Sequence, residues 1–489
     1  MKILFLNPPF LKNFSRSQRS PAVTKSGTLY FPMWLAYAAG VAMENGFEID
    51  FIDAPADGLS IEAVMERAKK FKPALIVMDT STPSINNDIA IGGSLKDACK
   101  GSFLAVVGTH VSALPEEVLK LDKRVDAALK YEYDLTVLEL AKALDKKKDL
   151  SKVAGLSFRN GEGIAHNARR PFIDDLDALP FVSKVYKKFL KIENYFNPNA
   201  LFPMVTITTS RGCPFPCTFC VYPQTLMGRG FRSRSVENVV AEMVYIVENF
   251  PQAKAIFFED DTLTVDKKRC TALSEEILRK GLKISWTANS RIGISYETMK
   301  KMKEAGCRSL CVGFESGSQK ILDNMKKKTK PAEMKEFMKN AKRAGLLIHG
   351  CFMVGLPGET KETIKETLQL AKDLRPDTAQ FYPVMVYPGT EAYDWYKQKN
   401  LIRSSDFSQW ITPEGLHNTV IRTEDLSSEE LVMCCDEARR DFYLRPGYML
   451  YKFGQLIKKP GEIKRTLKAG RTFFKYLIKG SDIKKGGKR

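Results

Sequence analysis

The sequence lacks any run of about 18 apolar residues, so it offers no helix able to span a bilayer. No G-x-G-x-x-G follows its first strand-like run and no Walker A string occurs, which argues against dinucleotide and nucleoside triphosphate binding by those motifs. Internal repeats and long low-complexity stretches are also missing, and 44 % hydrophobic content excludes a disordered chain. The opening MKILFLNPPF imitates a signal peptide, but its apolar run is short, Pro8–Pro9 ends it, and no small-residue cleavage site follows. It reads as a buried first strand of a cytoplasmic protein.

What is present is uneven. The 489 residues suffice for two to four domains at roughly 100–200 residues each. Ten cysteines in a chain this long are not a disulfide scaffold, and in a reducing cytoplasm clustered cysteines bind metal or do redox work. The net charge is +19, and from Lys452 to Arg489 thirteen Lys/Arg face only Glu462 and Asp482. The basicity therefore belongs mainly to a tail.

Residues 1–150 alternate short apolar runs (Ile3–Leu6, Ile49–Ile52, Leu75–Met78, Leu104–Val107, Val125–Leu129) with helix-like stretches. That pattern predicts a doubly wound α/β domain, flavodoxin-like, with ligands beyond the carboxyl ends of its strands. Asn7, Asp53, Thr80, Ser81, Gly108 and His110 fall there. Residues 151–200 read as a linker, with a hairpin turn at RNGEG, 159–163. From 201 to 400 six further βα units predict a partial barrel, a (β/α)6 relative of the eight-fold one. Residues 401–489 read as a mainly helical extension.

TTSRGCPFPCTFC, directly after the first barrel strand, places Cys213, Cys217 and Cys220 at x3 and x2 spacing. Three thiolates on one loop can hold three irons of a 4Fe-4S cube. No fourth cysteine follows at ferredoxin spacing, so one iron stays open. Zinc would want a fourth Cys or His nearby, and a redox C-x-x-C would need only two cysteines. An electron carrier without turnover remains a third reading at this stage.

Cys-x3-Cys-x2-Cys in this position resembles the signature of the radical S-adenosylmethionine (SAM) superfamily. The resemblance implies that the open iron binds SAM, and that one electron splits it into methionine and a 5′-deoxyadenosyl radical that abstracts hydrogen from carbon. It also implies a flavodoxin- or ferredoxin-type reductant. By the same resemblance Phe219, Glu259, Asp260, Asp261, Asn289, Arg291, Glu315, Ser316 and Gly355 stand at SAM-binding stations. Carboxylates at 259–261 suit the SAM ammonium, through charge-assisted hydrogen bonds. Glycine in GLPGET permits close backbone approach to adenine.

An α/β domain ahead of such a barrel is similar to the cobalamin (B12)-binding-domain branch. The string Asp-x-His-x-x-Gly, which supplies a cobalt-ligating histidine in many cobalamin proteins, is missing. The turn after the fifth strand reads KYEYD, 130–134, where many branch members are glycine-rich. Bulky Tyr131 and Tyr133 there leave cobalamin binding open, and a methyltransferase that uses it stands as the alternative function.

YFPMWLAYAAG (30–40), DTSTPSINND (79–88) and CVYPQTLMGRGFRSRS (220–235) resemble the hopanoid-biosynthesis-associated radical SAM proteins. That resemblance implies a lipid-linked or other apolar small-molecule substrate and rearrangement of a hopanoid-type head group. Ile463, Leu467, Phe474, Leu477 and Ile478 recur at helical spacing among lysines and arginines, a pattern suited to the anionic inner face of a membrane. A solvated helix packed on the barrel would show the same pattern. No nucleic-acid module is recognisable, so nucleic acid is not an expected partner.

Overall fold

The computed structural model describes residues 1–458 and Leu477; the remaining tail, with most of the amphipathic pattern expected over 463–479, lies outside the described residues. The first sheet begins with β1 (Lys2–Asn7), β2 (Glu48–Asp53), β3 (Leu75–Asp79), β4 (Phe103–Val107) and β5 (Ala127–Leu129). They are parallel and ordered β2-β1-β3-β4-β5. This is the flavodoxin-type order, whose switch point lies between β1 and β3. Continuous apolar runs such as KILFLN form these strands because helices cover both faces and nearly every position is buried.

The stretch expected as a linker does more than connect. Its RNGEG turn closes a hairpin of β6 (Leu156–Asn160) and β7 (Gly163–His166), and β6 adds antiparallel to β5, making seven strands. Local spacing revealed the hairpin but not its partner, because β5–β6 pairing joins residues about 30 apart.

The second unit holds β8 (Met204–Ile207), a two-stranded ribbon of β9 (Ser210–Arg211) and β10 (Arg232–Ser233), then β11 (Ala255–Phe258), β12 (Ser285–Ser290), β13 (Cys307–Glu315), β14 (Leu347–Val354) and β15 (Thr378–Pro383). The sheet runs β8-β11-β12-β13-β14-β15, all parallel, with helices between. It is the expected six-stranded partial barrel. Ser235, Asp266, Ser295 and Thr360 cap the helices that follow them, each side chain accepting a backbone N–H in the first turn.

Helix Met33–Glu44 is apolar on almost every side because it is wrapped by both units. It packs on the first sheet, and its Tyr37 hydroxyl lies 3.0 Å from Thr208 Oγ1 behind β8. One continuous core runs through both domains. The C-terminal region is helical, with Ser428–Tyr443 packed on β15, and its turn Phe407–Trp410 reaches back onto Thr82–Ser84 of the first domain. Among the described residues no helix is long and apolar enough to cross a membrane.

Candidate active site at two facing strand edges

The three cysteines lie on the loop that leaves β9. Gly212 precedes them at φ +83°, where a Cβ would fall 2.1 Å from the Gly230 carbonyl oxygen, so only glycine lets the loop pass. Cys213 N–H donates to the Gly228 carbonyl (3.3 Å) and Thr218 N–H to that of Met325 (3.1 Å). Gln224 Nε2 donates to the Thr218 and Cys220 carbonyls. Burial, then Asp261, pushes the Cys213 thiol up to about 11, and the same two causes raise Cys220. Such thiols are protonated at neutral pH unless a metal takes the proton's place. Cys213 feels the charge of Cys217, and Cys220 that of both, so the three thiols stand near one another. Three thiols on one loop, each able to meet its own iron, are a donor set that fits the cluster.

Asp260 turns out to be the brace of this loop. Its carboxylate accepts from Thr209 N–H (2.6 Å), Thr209 Oγ1 (2.6 Å) and Ser210 Oγ (2.7 Å). It is engaged and does not present itself to an ammonium as expected. Asp261 accepts from Gly212 N–H (3.2 Å). Glu259 is buried, and Asn289 and Arg19 are the side chains that hydrogen-bond its carboxylate. Its Oε1 receives Arg19 Nη1 (2.5 Å), while Arg19 Nη2 donates to the Asp260 carbonyl (2.9 Å) and lies 3.4 Å from Asp261 Oδ1. Burial raises both Glu259 and Asp261, and Arg19 opposes that rise. Two buried carboxylates side by side, at 259 and 261, are a donor-seeking pair that suits a cationic group such as the SAM ammonium.

Asn289 Nδ2 donates to the Asp260 carbonyl (3.1 Å). Arg291 stacks on Phe215, 3.8 Å from guanidinium carbon to ring centre, and its Nη1 lies 3.5 Å from Cys217 Sγ. Its target is thus a cluster ligand. Phe219 is half-buried against the core. Glu315, at φ +67°, receives Lys327 Nζ on Oε1 (2.8 Å) and leaves a buried Oε2 unpaired. Ser316 is turned instead to Thr367 (3.1 Å) and to its own loop through Ser318 N–H. Gly355 carries φ +91°, its Cα directed at Leu431 and Ile421 of the C-terminal region, while its N–H donates to Glu359.

On the facing edge, Asn7 Nδ2 donates to Asp53 Oδ1 (2.8 Å) and Tyr195 OH to Asp53 Oδ2 (2.7 Å). Arg16 Nη1 donates to Asn7 Oδ1 (2.9 Å), and its other nitrogens make a bidentate pair with Asp88. Burial raises Asp53 to about 6 and Asp79 to about 7. Thr80 donates to the Val107 carbonyl, Ser81 meets Ser84 at 2.7 Å, and Gly108, φ +128°, lies against Thr80 where a Cβ would clash. His110 is buried, its Nδ1 3.2 Å from Thr82 Oγ1 and its ring edge-on to Phe407; burial lowers it to about 4. No free histidine is offered to cobalt by this edge. At the junction of the domains the buried Trp34 lies edge-on to Tyr222 (5.9 Å between ring centres), with the Arg211 guanidinium 5.5 Å from its ring.

Two features escaped the sequence. KYEYD supplies Glu132 and Asp134, both buried, which clamp Arg211 beside the cysteine loop at 2.8 and 2.9 Å; Glu132 also takes Arg232 at 2.8 Å. The segment 15–20 threads between the domains, with Arg16 on one edge and Arg19 on the other. Arginine spacing gave no hint of either, because every acidic partner is 72 or more residues away.

The sequence model of the Radical SAM superfamily matches residues 207–371, and that of the B12 binding domain matches 19–141. The protein named Uncharacterized methyltransferase PH0819, from Pyrococcus horikoshii, is 32 % identical and covers 92 % of this chain and 94 % of its own length. The chain belongs to the radical SAM superfamily, in the branch with a B12-binding domain. An anaerobic magnesium-protoporphyrin IX monomethyl ester cyclase of Cereibacter sphaeroides is 26 % identical over 97 % of this chain and 76 % of that protein. Among solved structures, the cobalamin-dependent SAM radical enzyme OxsB, with aqua-cobalamin and SAM bound, shares the fold at TM-score 0.68 and 16 % identity, over 98 % of this chain and 72 % of that one. Membership implies a 4Fe-4S cluster and SAM, and the B12-binding domain supports cobalamin as a further cofactor.

Proposed function

We propose that this chain is a cobalamin-dependent radical SAM methyltransferase acting on an apolar small molecule. The observation that carries the reading is the meeting of the two strand edges. Arg16 touches Asn7 and Asp88 of the B12-type domain, and Arg19 touches Glu259 and Asp261 of the barrel. Three residues of chain span at most about 11 Å, so this segment ties the two cofactor edges to each other. When bound, the cofactors supply an electron, a carbon-centred radical and a transferable methyl group. The chain's own residues do the rest. Glu259 and Asp261 hold the SAM ammonium, Asp260 and Arg211 fix the cysteine loop, and the wrapped helix Met33–Glu44 excludes water from behind. Burial keeps Tyr30, Tyr382, Cys311 and Cys351 in their uncharged forms, and Arg19 acts on all four, so the surroundings proposed for substrate at Arg19 are apolar and neutral.

The 32 % identical relative, named a methyltransferase, supports methyl transfer over the hopanoid-type rearrangement expected from the sequence. The match to the ester cyclase over 97 % of the chain keeps cyclisation as a second reading. A low-potential flavodoxin or ferredoxin is the proposed reductant. Anaerobically loaded protein, given SAM, reductant and an apolar lipid extract, is expected to yield 5′-deoxyadenosine and S-adenosylhomocysteine together. Deoxyadenosine alone would favour cyclisation or rearrangement, and neither product with the cluster intact would end both.

A further inference from the structure

Helix Pro446–Lys458 is the one place among the described residues where large apolar side chains crowd into solvent. Met449, Leu450, Phe453 and Ile457 are 57, 72, 66 and 66 % exposed. At 3.6 residues per turn these four fall within about 100° of the helix circumference, so they form one stripe. The opposite face is fastened to the barrel. Tyr448 OH donates to the Asp377 carbonyl (2.8 Å), and Tyr451 OH and Gln455 Nε2 reach Asp377 Oδ1 (2.5 and 2.6 Å). The stripe is therefore held outward by a built anchor.

Its surroundings are cationic. Arg445 opens the helix and donates to the Lys372 carbonyl (3.1 Å). Burial and then Arg375 hold the Arg445 guanidinium below its ordinary value, and burial chiefly lowers Lys342, with Arg375 and Arg445 adding to that against Asp377. Cations that crowd one another in this way gain from an outside anion. The chain continues from this helix into a segment where thirteen Lys/Arg between 452 and 489 face two acids.

We propose that the Met449–Ile457 stripe docks this protein on an anionic lipid surface, with Arg375 and Arg445 toward the head groups and the positive charge of the sequence after 458 adding to the attraction. An apolar stripe flanked by cations is the arrangement that binds in the plane of such an interface. Anchoring through Asp377, ahead of β15, puts the surface at the amino end of the barrel strands, away from the cysteine loop. Docking thus leaves the cofactor edges free for a soluble reductant. This inference stands apart from the methyl-transfer reading and needs none of its chemistry.

The full chain would be sedimented with vesicles of phosphatidylglycerol and phosphatidylcholine, and with phosphatidylcholine alone, in low and high salt. Binding is expected to the anionic vesicles, weakened by salt, and to fall at least tenfold in a Leu450→Glu, Phe453→Glu double variant whose cluster absorbance and melting are unchanged. Absence of binding to anionic vesicles would overturn the proposal. So would equal binding by the variant, which would leave the tail charge alone responsible. A dimer of the native chain in light scattering that the variant converts to monomer would assign the stripe to a second copy and overturn it too.

Discussion

Arg291 lies flat on Phe215 with Nη1 3.5 Å from Cys217 Sγ. A hydrogen bond and positive charge at a cluster sulfur favour the reduced state, since added negative charge is shared with the donor. Arg291→Met keeps the apolar contact with Phe215 and removes the donor. Its cluster should become harder to reduce, by an amount on the order of tens of millivolts, in an EPR-monitored redox titration. An unchanged potential would return Arg291 to the SAM-contact role that its position after β12 implied. Arg19 offers a second case. It opposes the burial that raises Glu259 and Asp261, so Arg19→Met should raise both carboxylates further. An ammonium needs them ionised. The acid limb of SAM binding, followed by calorimetry on cluster-loaded protein, should then move to higher pH. Neither role is legible locally. Spacing located Cys213, Cys217, Cys220 and the strand ends, but which side chain a long arginine reaches depends on contacts 74 and 240 residues away.

At the scale of elements, the cysteine loop is positioned from two directions. Asp260 holds Thr209 and Ser210 behind it, and KYEYD of the other domain holds Arg211. The strands themselves were legible because continuous apolar runs and capped helices are local signals, as at Ser235 and Ser295. The role of KYEYD was not. Its tyrosines drew notice as bulk, whereas its acids do the binding; Tyr131 itself sits at φ +61° beneath Arg169. Arg211 has no water to fall back on, and breaking a buried pair by removing one partner costs about 3–5 kcal/mol. Glu132→Gln should therefore lower the melting temperature and also reduce iron per chain after reconstitution, although residue 132 lies in the B12-type domain. Full iron loading in a destabilised variant would show that the clamp serves stability alone.

At the scale of the whole molecule, the first sheet carries two buried acids at its ligand edge, Asp53 and Asp79, raised to about 6 and about 7. A residue at a strand's carboxyl end that retains its proton near neutrality is the kind of group that cofactor sites perturb. It also makes the fold pH-dependent. In the unfolded chain an aspartate releases its proton near pH 3.9, whereas folded Asp79 holds it to about 7. Between those values the folded state binds more protons, so stability from this residue falls as pH rises and levels off above 7. About three pH units at 1.36 kcal/mol each give an upper limit of about 4 kcal/mol. Asp79→Asn cannot ionise and escapes the penalty. The variant should gain on the native chain from pH 4 to 7 and hold that gain at pH 8, in melts of cofactor-free protein. Any fixed cost of the amide shifts the whole difference curve without changing its slope. A flat difference across this range would mean that Arg16, the largest opposing influence on Asp79, keeps the carboxylate ionised in the folded molecule.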